Sequence, residues 1–398
     1  MGFELTEGQV EIQQKARKFA DDIIRPVAAK FDREGTFPMD VMEKAYKSGY
    51  FTAFIPSRYG GAGMSVLDYC IASEELAAAC MGVYLSIFVS NLALHPIVEF
   101  GTEHQKESFL IPFCRDFSIA SYCLSERAVG SDPASMEAAA RLENDHYVLN
   151  GTKMWITNGS YARLFLVFAQ TDRAKKHRGI VALIVPGDLE GIRRGAPIDK
   201  LGQRASNTTA IKFDNVKVPA ENLLGGIGEG FRKAMAALDV TRPLIAIGAV
   251  GLARSAMEYA VAYAQKRVQF GVPIAKHQAI QFMLADMATE IDAARLLVWR
   301  AAWMADQGQK NTKAAAIAKA FAADMAMRVA TDAIQVYGGM GYTTWHPVEK
   351  LLRDAKVLQI YEGTSQIMRM IIARNLLKEL PLKPESLSPG TGKGIGDT

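Results

Sequence analysis

Glu362 is the residue in this sequence best placed to move a proton. It sits in Val357-Leu-Gln-Ile-Tyr-Glu-Gly-Thr-Ser-Gln-Ile-Met-Arg-Met-Ile-Ile-Ala-Arg374, between an apolar approach and an apolar helical pattern. Ile367, Met370, Ile371 and Arg374 recur at helical spacing, which predicts a helix from about Thr364 with Thr364 as its N-cap. Glu362 then lies just outside a helix N-terminus, where free N–H groups and the helix dipole favour a charged carboxylate. The apolar neighbours Val357, Leu358 and Ile360 oppose that charge and raise the pKa. A general base poised near neutral pH needs such a balance. Gly363 lets a ligand pass close to the backbone. Taken alone, the same stretch also describes an ordinary acid at the start of a helix.

Five other stretches carry usable groups, each with a plainer alternative. In Tyr122-Cys-Leu-Ser-Glu-Arg-Ala-Val-Gly-Ser-Asp132, the residues Ser125, Gly130 and Ser131 can offer hydroxyls and backbone N–H groups to an anion, or form a polar loop leaving a strand. In Met154-Trp-Ile-Thr-Asn-Gly159, Trp155 and Thr157 face the same way on a strand and can flank a flat ring; the alternative is a core tryptophan. Asp239-Val-Thr-Arg242, followed by Pro243, puts the Thr241 hydroxyl and a cation at a helix break, suited to a phosphate or to a surface ion pair. Arg267-Val-Gln-Phe-Gly271 with His277-Gln278 places a cation at a helix end, where it is favourable in any case. Gln335-Val-Tyr-Gly-Gly339 permits close backbone approach or simply stops a helix. No G-x-G-x-x-G occurs: Gly225-Gly-Ile-Gly-Glu-Gly230 has the wrong spacing, so a Rossmann nucleotide site is unsupported.

The elements that must hold these groups fall into three blocks. Residues 6 to about 115 read as helices. Thr6 and Gln9 make a capping box, and Ile12, Ala16, Phe19, Ala20 and Ile23 mark one buried face. Further helices fit Asp40–Ser48, Val66–Ala79, Val83–Phe100 and His104–Cys114, with a glycine-rich loop at Pro56–Met64. From about residue 117 the pattern turns to strands. Tyr147 to Ile156 reads as strand, turn, strand around Asn150-Gly151. Leu164–Gln170, Ile180–Val185 and Ala210–Val218 are further strands. Helix returns at about Gly230, with Phe231–Leu238, Leu244–Lys266, His277–Gln307 and Thr312–Tyr337 long and alanine-rich. Pro243 breaks or kinks the first pair, and Gly338-Gly339 stops the last. The expected fold is mainly α with an inserted β domain (barrel or sandwich): a helical domain over 1–116, the β domain over 117–226, a four-helix bundle over 227–383, and a disordered Gly-, Ser- and Pro-rich tail over 384–398. A ligand would lie where the three meet.

Composition narrows the class. The chain has 398 residues, 49% hydrophobic and 22% charged, as a globular protein with a large core has. Its net charge of +4 is spread along the chain and gives no reason to invoke nucleic acid. Cys70, Cys80, Cys114 and Cys123 lie in apolar contexts and read as buried free thiols in a reducing compartment. The six histidines are scattered and indicate no metal site. No run reaches the roughly 18 apolar residues of a membrane helix. With no signal peptide in view, a cytoplasmic enzyme of bacterial type is expected. Met1 to Thr6 fits a loose myristoylation pattern, but Thr6 is better explained as a helix cap.

Taken in order, these stretches resemble the acyl-CoA dehydrogenase family over roughly residues 4 to 380, closest to the medium- and short-chain members. The resemblance rests on Trp155-Ile-Thr-Asn-Gly159, Asp239-Val-Thr-Arg-Pro243, Gln335-Val-Tyr-Gly-Gly339, Arg353-Asp-Ala-Lys356 and Tyr361-Glu-Gly-Thr-Ser-Gln366. It implies FAD held between the β domain and the bundle, in a homotetramer. It implies that Tyr122, Leu124, Ser125, Gly130 and Ser131 line the cofactor, that Trp155 and Thr157 flank its ring, and that Thr364 and Gln366 reach it. Arg267, Gln269, Phe270, Gln278, Gln335, Gly338 and Gly339 would reach it from a neighbouring subunit. Ser131, Asp239, Thr241, Arg242, Tyr361 and Gly363 would line the acyl-CoA path. Glu362 matches the catalytic base. Some branches place the base at the position of Thr241, which a threonine cannot fill. The implied reaction is α,β-dehydrogenation of an acyl-CoA to a trans-2-enoyl-CoA, with electrons passed to electron-transferring flavoprotein.

Two departures stand out. The family's usual Glu-Pro-Gly-Ala-Gly-Ser-Asp is here Glu126-Arg-Ala-Val-Gly-Ser-Asp132. If position 128 needs positive φ, Ala128 costs about 1 kcal/mol there; Arg127 is expected to face solvent. Tyr84 and Phe88 are bulky on the helix that, by the resemblance, closes the far end of the acyl pocket, which implies a shallow pocket for short, branched or cyclic acyl groups. The rival readings are an acyl-CoA oxidase using O2 and a non-catalytic CoA-binding homologue.

Overall fold

The structure is a computed structural model that describes residues 4–380. The tail expected to be disordered lies outside the described residues. The first block is α1 (Glu7–Phe19), α2 (Arg25–Glu34), α3 (Met39–Lys47), α4 (Val66–Ala79), α5 (Met81–Phe100) and α6 (Glu103–Arg115). The Thr6 capping box forms as its sequence predicts: the Thr6 hydroxyl accepts from the Gln9 N–H, and the Gln9 side chain accepts from the Thr6 N–H. Helix α5 is buried on nearly every side, because α3, α4 and the β domain surround it.

The middle block is β1 (Ala120–Cys123), β2 (Ala139–Glu143), β3 (His146–Thr157), β4 (Leu164–Gln170), β5 (Ile180–Pro186), β6 (Ile192–Arg194) and β7 (Thr208–Pro219). These strands make one curled sheet in the order β1-β4-β2-β3-β7-β6, with β5 on β4. Strand alternation divides β4 between two cores. Leu164, Leu166 and Phe168 pack with Leu94, Ile97, Leu110 and Phe113 of the helical block. Phe165, Val167 and Ala169 pack inside the sheet with Leu149, Ile211 and Phe213.

The hairpin expected at Asn150-Gly151 does not form: β3 runs straight through it. The register against β7 slips between Leu149 and Gly151, so the glycine is a bulge, and a Cβ there would come within 2.7 Å of Ala138. The turn lies earlier, at Asn144-Asp145, where Glu143 pairs with His146 and Asn144 takes φ 55°.

The last block is α7 (Gly230–Lys266), a small hairpin of β8 (Val268–Gln269) and β9 (Val272–Pro273), α8 (Gln278–Asp306), α9 (Thr312–Tyr337), α10 (Val348–Lys356) and α11 (Ser365–Glu379). The two helices expected on either side of Pro243 are a single 37-residue helix. A proline inside a helix leaves the carbonyl four residues earlier without its donor. That carbonyl belongs to Asp239, and the Asn311 side chain donates to it at 2.9 Å. The bundle therefore has three long helices, and the shorter α11 packs on α9.

Helices α5 and α7 are long and, on average, apolar enough to cross a membrane, although polar residues interrupt each of them. Their apolar windows are 89% and 78% buried inside the fold, so the pattern is that of core helices. Cys70, Cys80 and Cys123 are buried as expected; Cys114 is only partly so.

Candidate active site

Glu362 lies on the short segment between α10 and α11. Thr364 caps α11, its hydroxyl accepting from the Ile367 N–H at 3.1 Å. The turn before the cap is left-handed: Glu362 has φ 55° and Gly363 φ 92°. Left-handed backbone is uncommon for a residue with a side chain and persists only where the surroundings hold it. One carboxylate oxygen, Oε2, is buried with no hydrogen-bond partner. The Glu362 N–H has no acceptor among the described residues. An orphaned acid oxygen and a free N–H at one residue form a site built for something bound there.

Burial pushes the Glu362 carboxyl up to about 7, against the pull of Arg242 and Lys319. Arg242, on α7, is 4% exposed and donates to Asp239 Oδ1 at 2.7 Å. Lys319, on α9, is fully buried and donates to the Gly363 carbonyl. The apolar neighbours were legible in the sequence, but these two cations set the opposing pull. Lys319 was missed. A signal for it existed: Ala315, Ala316, Ala322 and Ala323 put its helix face in the core, and a lone lysine there needs a reason.

A junction of buried polar groups locks this segment to the other blocks. Gln203, on the loop before β7, donates its backbone N–H to Asp354 Oδ1 and its side-chain amide to the Tyr361 hydroxyl at 3.2 Å. Arg353 reaches Asp32 of α2 at 2.7 Å. Tyr361 is thereby fixed beside Glu362.

Trp155 and Thr157 end β3. A second register slip, between Lys153 and Ile156, gives Trp155 φ 64° and leaves its side chain 55% exposed. Bulges re-aim side chains in this way. The Thr157 carbonyl accepts the Ser121 hydroxyl at 2.7 Å, tying β3 to β1. Tyr122 donates to the Ala234 carbonyl of α7 at 3.4 Å, and Ser125 accepts the Met154 N–H at 3.0 Å. Beneath this loop Lys153, fully buried, donates to Glu126 Oε1 at 2.8 Å and to the Leu124 carbonyl at 3.0 Å. Glu126 also accepts the N–H groups of Glu137 and Ala138. Burial opposes its charge, but Lys153 and the two N–H groups outweigh burial and hold its pKa below the usual range.

The altered loop raises no backbone difficulty. Ala128 is not in the left-handed region, so the cost anticipated for it does not arise, and Arg127 and Ala128 are both exposed. Gly130, Gly338 and Gly339 have no atom within 4 Å of where a Cβ would be.

The remaining residues fall into two groups. Tyr84 and Phe88 are fully buried and stacked 6.0 Å apart, and the Tyr84 hydroxyl donates to the Leu244 carbonyl at 2.9 Å. The Thr241 hydroxyl turns into its own helix and donates to the Ala237 carbonyl at 3.0 Å. Asp239 accepts from Thr312 at 2.6 Å as well as from Arg242. By contrast Arg267, Gln269, Phe270 and Gln278 lie at the turn from α7 to α8, and Gln335, Gly338 and Gly339 at the end of α9. Within one chain, no hydrogen bond among the described residues ties this second group to Glu362, Trp155 or Thr157. Phe270, at the hairpin tip, is 95% exposed.

The site thus offers a buried acid with a free oxygen on one segment and a re-aimed, half-exposed tryptophan on another. Comparison with known proteins identifies the family. Residues 6–116, 121–216 and 228–377 match, in turn, the N-terminal, middle and C-terminal domains of acyl-CoA dehydrogenase. The chain therefore belongs to the acyl-CoA dehydrogenase family, whose members are FAD-dependent oxidoreductases. Among its relatives, it is 44% identical to the mitochondrial short-chain specific acyl-CoA dehydrogenase of Mus musculus, covering 94% of this chain and 91% of that one. It superposes on butyryl-CoA dehydrogenase from Megasphaera elsdenii with a TM-score of 0.93 and 40% identity, over 95% and 100% of the two chains. A chain from work on the electron transferring flavoprotein of Acidaminococcus fermentans gives a TM-score of 0.93 at 42% identity, over the same shares.

Proposed function

We propose that this protein dehydrogenates short acyl-CoA thioesters between Cα and Cβ to trans-2-enoyl-CoA, with Glu362 as the base. The observation that carries the reading is the orphaned, buried Glu362 oxygen in a segment bolted to all three blocks. Bound FAD supplies the acceptor for the β-hydride. Tyr122, Leu124, Ser125, Gly130, Ser131, Trp155, Thr157, Thr364 and Gln366 would hold it from this subunit. The α7–α8 turn and the end of α9 would hold it from a neighbour in a homotetramer. The exposed side chains of Val268, Phe270, Phe282, Tyr342 and Trp345 near those elements support such an assembly. Electron-transferring flavoprotein is the proposed acceptor protein, and a cytoplasmic location goes with this reading.

The chain's own part is as follows. Glu362 Oε2 takes the α-proton. The free Glu362 N–H is a donor for the thioester oxygen, where negative charge grows as that proton leaves. Holding the acyl chain between acid and ring orients both bonds that break. Arg242, Asp239 and Ser131 lie on the proposed path of the CoA moiety. Because the base must be ionised, reduction should rise with pH through about 7 and level off above it. Rapid-mixing reduction across a pH series checks this.

The floor of the acyl pocket is proposed to be Tyr84 and Phe88. Tyr84 is fully buried and stacked on Phe88 within α5. Its hydroxyl bond to Leu244 holds it there. The test is an anaerobic titration of the purified protein with an acyl-CoA panel, following flavin bleaching. Short or branched chains should bleach fully and long ones poorly. The Tyr84→Leu/Phe88→Val protein should gain about tenfold or more on longer chains, since each methylene admitted contributes ~0.8 kcal/mol. Equal bleaching by all lengths in the unaltered protein would sink the short-chain reading.

A further inference from the structure

Lys319 is a charged side chain with no part in the steps above. It is fully buried, in the third turn of α9, with buried alanines at the flanking helical turns. A lysine in such a place loses its hydration and needs compensation. Its ammonium donates to the carbonyl of Gly363, the residue after the base. That carbonyl belongs to the left-handed pair Glu362-Gly363, so the bond holds the turn that aims the acid.

The surroundings of the pair are defined on every side. From α7 comes Arg242, already paired with Asp239. From α9 comes Asp324, engaged by Arg369, Gln359 and Ser365. From β1 comes Tyr122, and from the segment before α11 comes Tyr361, with Asp354 of α10 acting on it. Arg242 and Asp324 thus have partners of their own, whereas the one hydrogen-bond partner of Lys319 among the described residues is the Gly363 carbonyl.

We infer that Lys319 is a positioning residue for Glu362: it fixes the left-handed turn through the Gly363 carbonyl and supplies the buried positive charge against which the acid ionises. The inference rests on Glu362 being the base. Two further facts agree with it. Burial lowers the Lys319 ammonium to about 8, with Glu362 acting the other way, and the same cation lowers Glu362. When Glu362 takes the substrate proton, the site loses its counter-charge and becomes more positive. Negative charge growing on the thioester oxygen is then favoured at the moment it forms.

The test uses the flavin-loaded protein with Lys319→Met, which removes charge and donor, and Lys319→Gln, which removes charge but keeps a donor. The pH dependence of single-turnover bleaching is read beside an infrared titration of the Glu362 carboxyl, identified by subtracting Glu362→Gln. Both variants should move the midpoint upward by about one pH unit, and Lys319→Met should slow the high-pH plateau further. Unmoved midpoints in folded, flavin-bound variants would show that the lysine only plugs a carbonyl. Should neither variant fold, a proton titration of wild type against Glu362→Gln decides. The lysine step near 8 should fall once the acid is neutral; an unchanged step overturns the inference. A Glu362→Gln protein with full turnover would instead remove the base assignment itself.

Discussion

Glu362→Gln should keep its fold, its flavin and its affinity for acyl-CoA, yet lose at least about a thousandfold in the rate of flavin bleaching, the scale of a lost general base. The substitution is isosteric and places an uncharged amide where burial already disfavours charge. Among the described residues, no other group near the site is placed to take over: Arg242 is a cation paired with Asp239, the Lys319 amine is turned onto the Gly363 carbonyl, the Tyr122 and Tyr361 phenols are held protonated by burial, and Thr241 spends its hydrogen bond on Ala237. The measurement is rapid mixing under anaerobic conditions, with binding followed separately through the flavin spectrum. The loss should persist at high pH, where a base merely short of ionisation would recover.

The second large effect is structural. Lys153→Met should cost about 3–5 kcal/mol, because breaking a buried ion pair leaves its partner charged and uncompensated. Lys153 is fully buried against Glu126, whose carboxylate also organises the backbone of Glu137 and Ala138. Losing the cation loosens the loop from Leu124 to Ser131 that is proposed to hold the cofactor. The variant should unfold at lower denaturant and be purified with less flavin. Lys153→Met/Glu126→Gln should regain a large part of the loss, since no lone charge is then buried. Equal destabilisation by the single and double variants would argue against this account. By contrast, Arg127→Pro should leave flavin content unchanged, because Arg127 is exposed and has no partner among the described residues.

The parts of the site that follow from local rules were legible in the sequence. Thr364 is the cap and Glu362 lies before it, since capping and helical spacing act over a few residues. Strands β4 and β5 were legible because continuous apolar runs of that length suit a strand buried on both faces. What failed depended on distant partners. Asn150-Gly151 carries the composition of a hairpin turn, but pairing of β3 with β7 makes it a bulge. Pro243 carries the signal of a helix break, but Asn311, far along the chain, supplies the missing donor. Trp155 was expected to share a strand face with Thr157, yet a bulge gives it left-handed backbone. The alanines around Lys319 mark its burial, but its partner is a backbone carbonyl, so its role leaves no mark in sequence.

The central claim is that one acid removes the α-proton of a thioester whose β-hydrogen leaves as hydride. Anaerobic rapid mixing with butyryl-CoA deuterated at Cα, or at Cβ, tests it most directly. Both labels should slow the bleaching of the flavin, and neither labelled nor unlabelled substrate should bleach Glu362→Gln. Bleaching that ignores the α-label, or that proceeds at the wild-type rate in Glu362→Gln, would contradict the account.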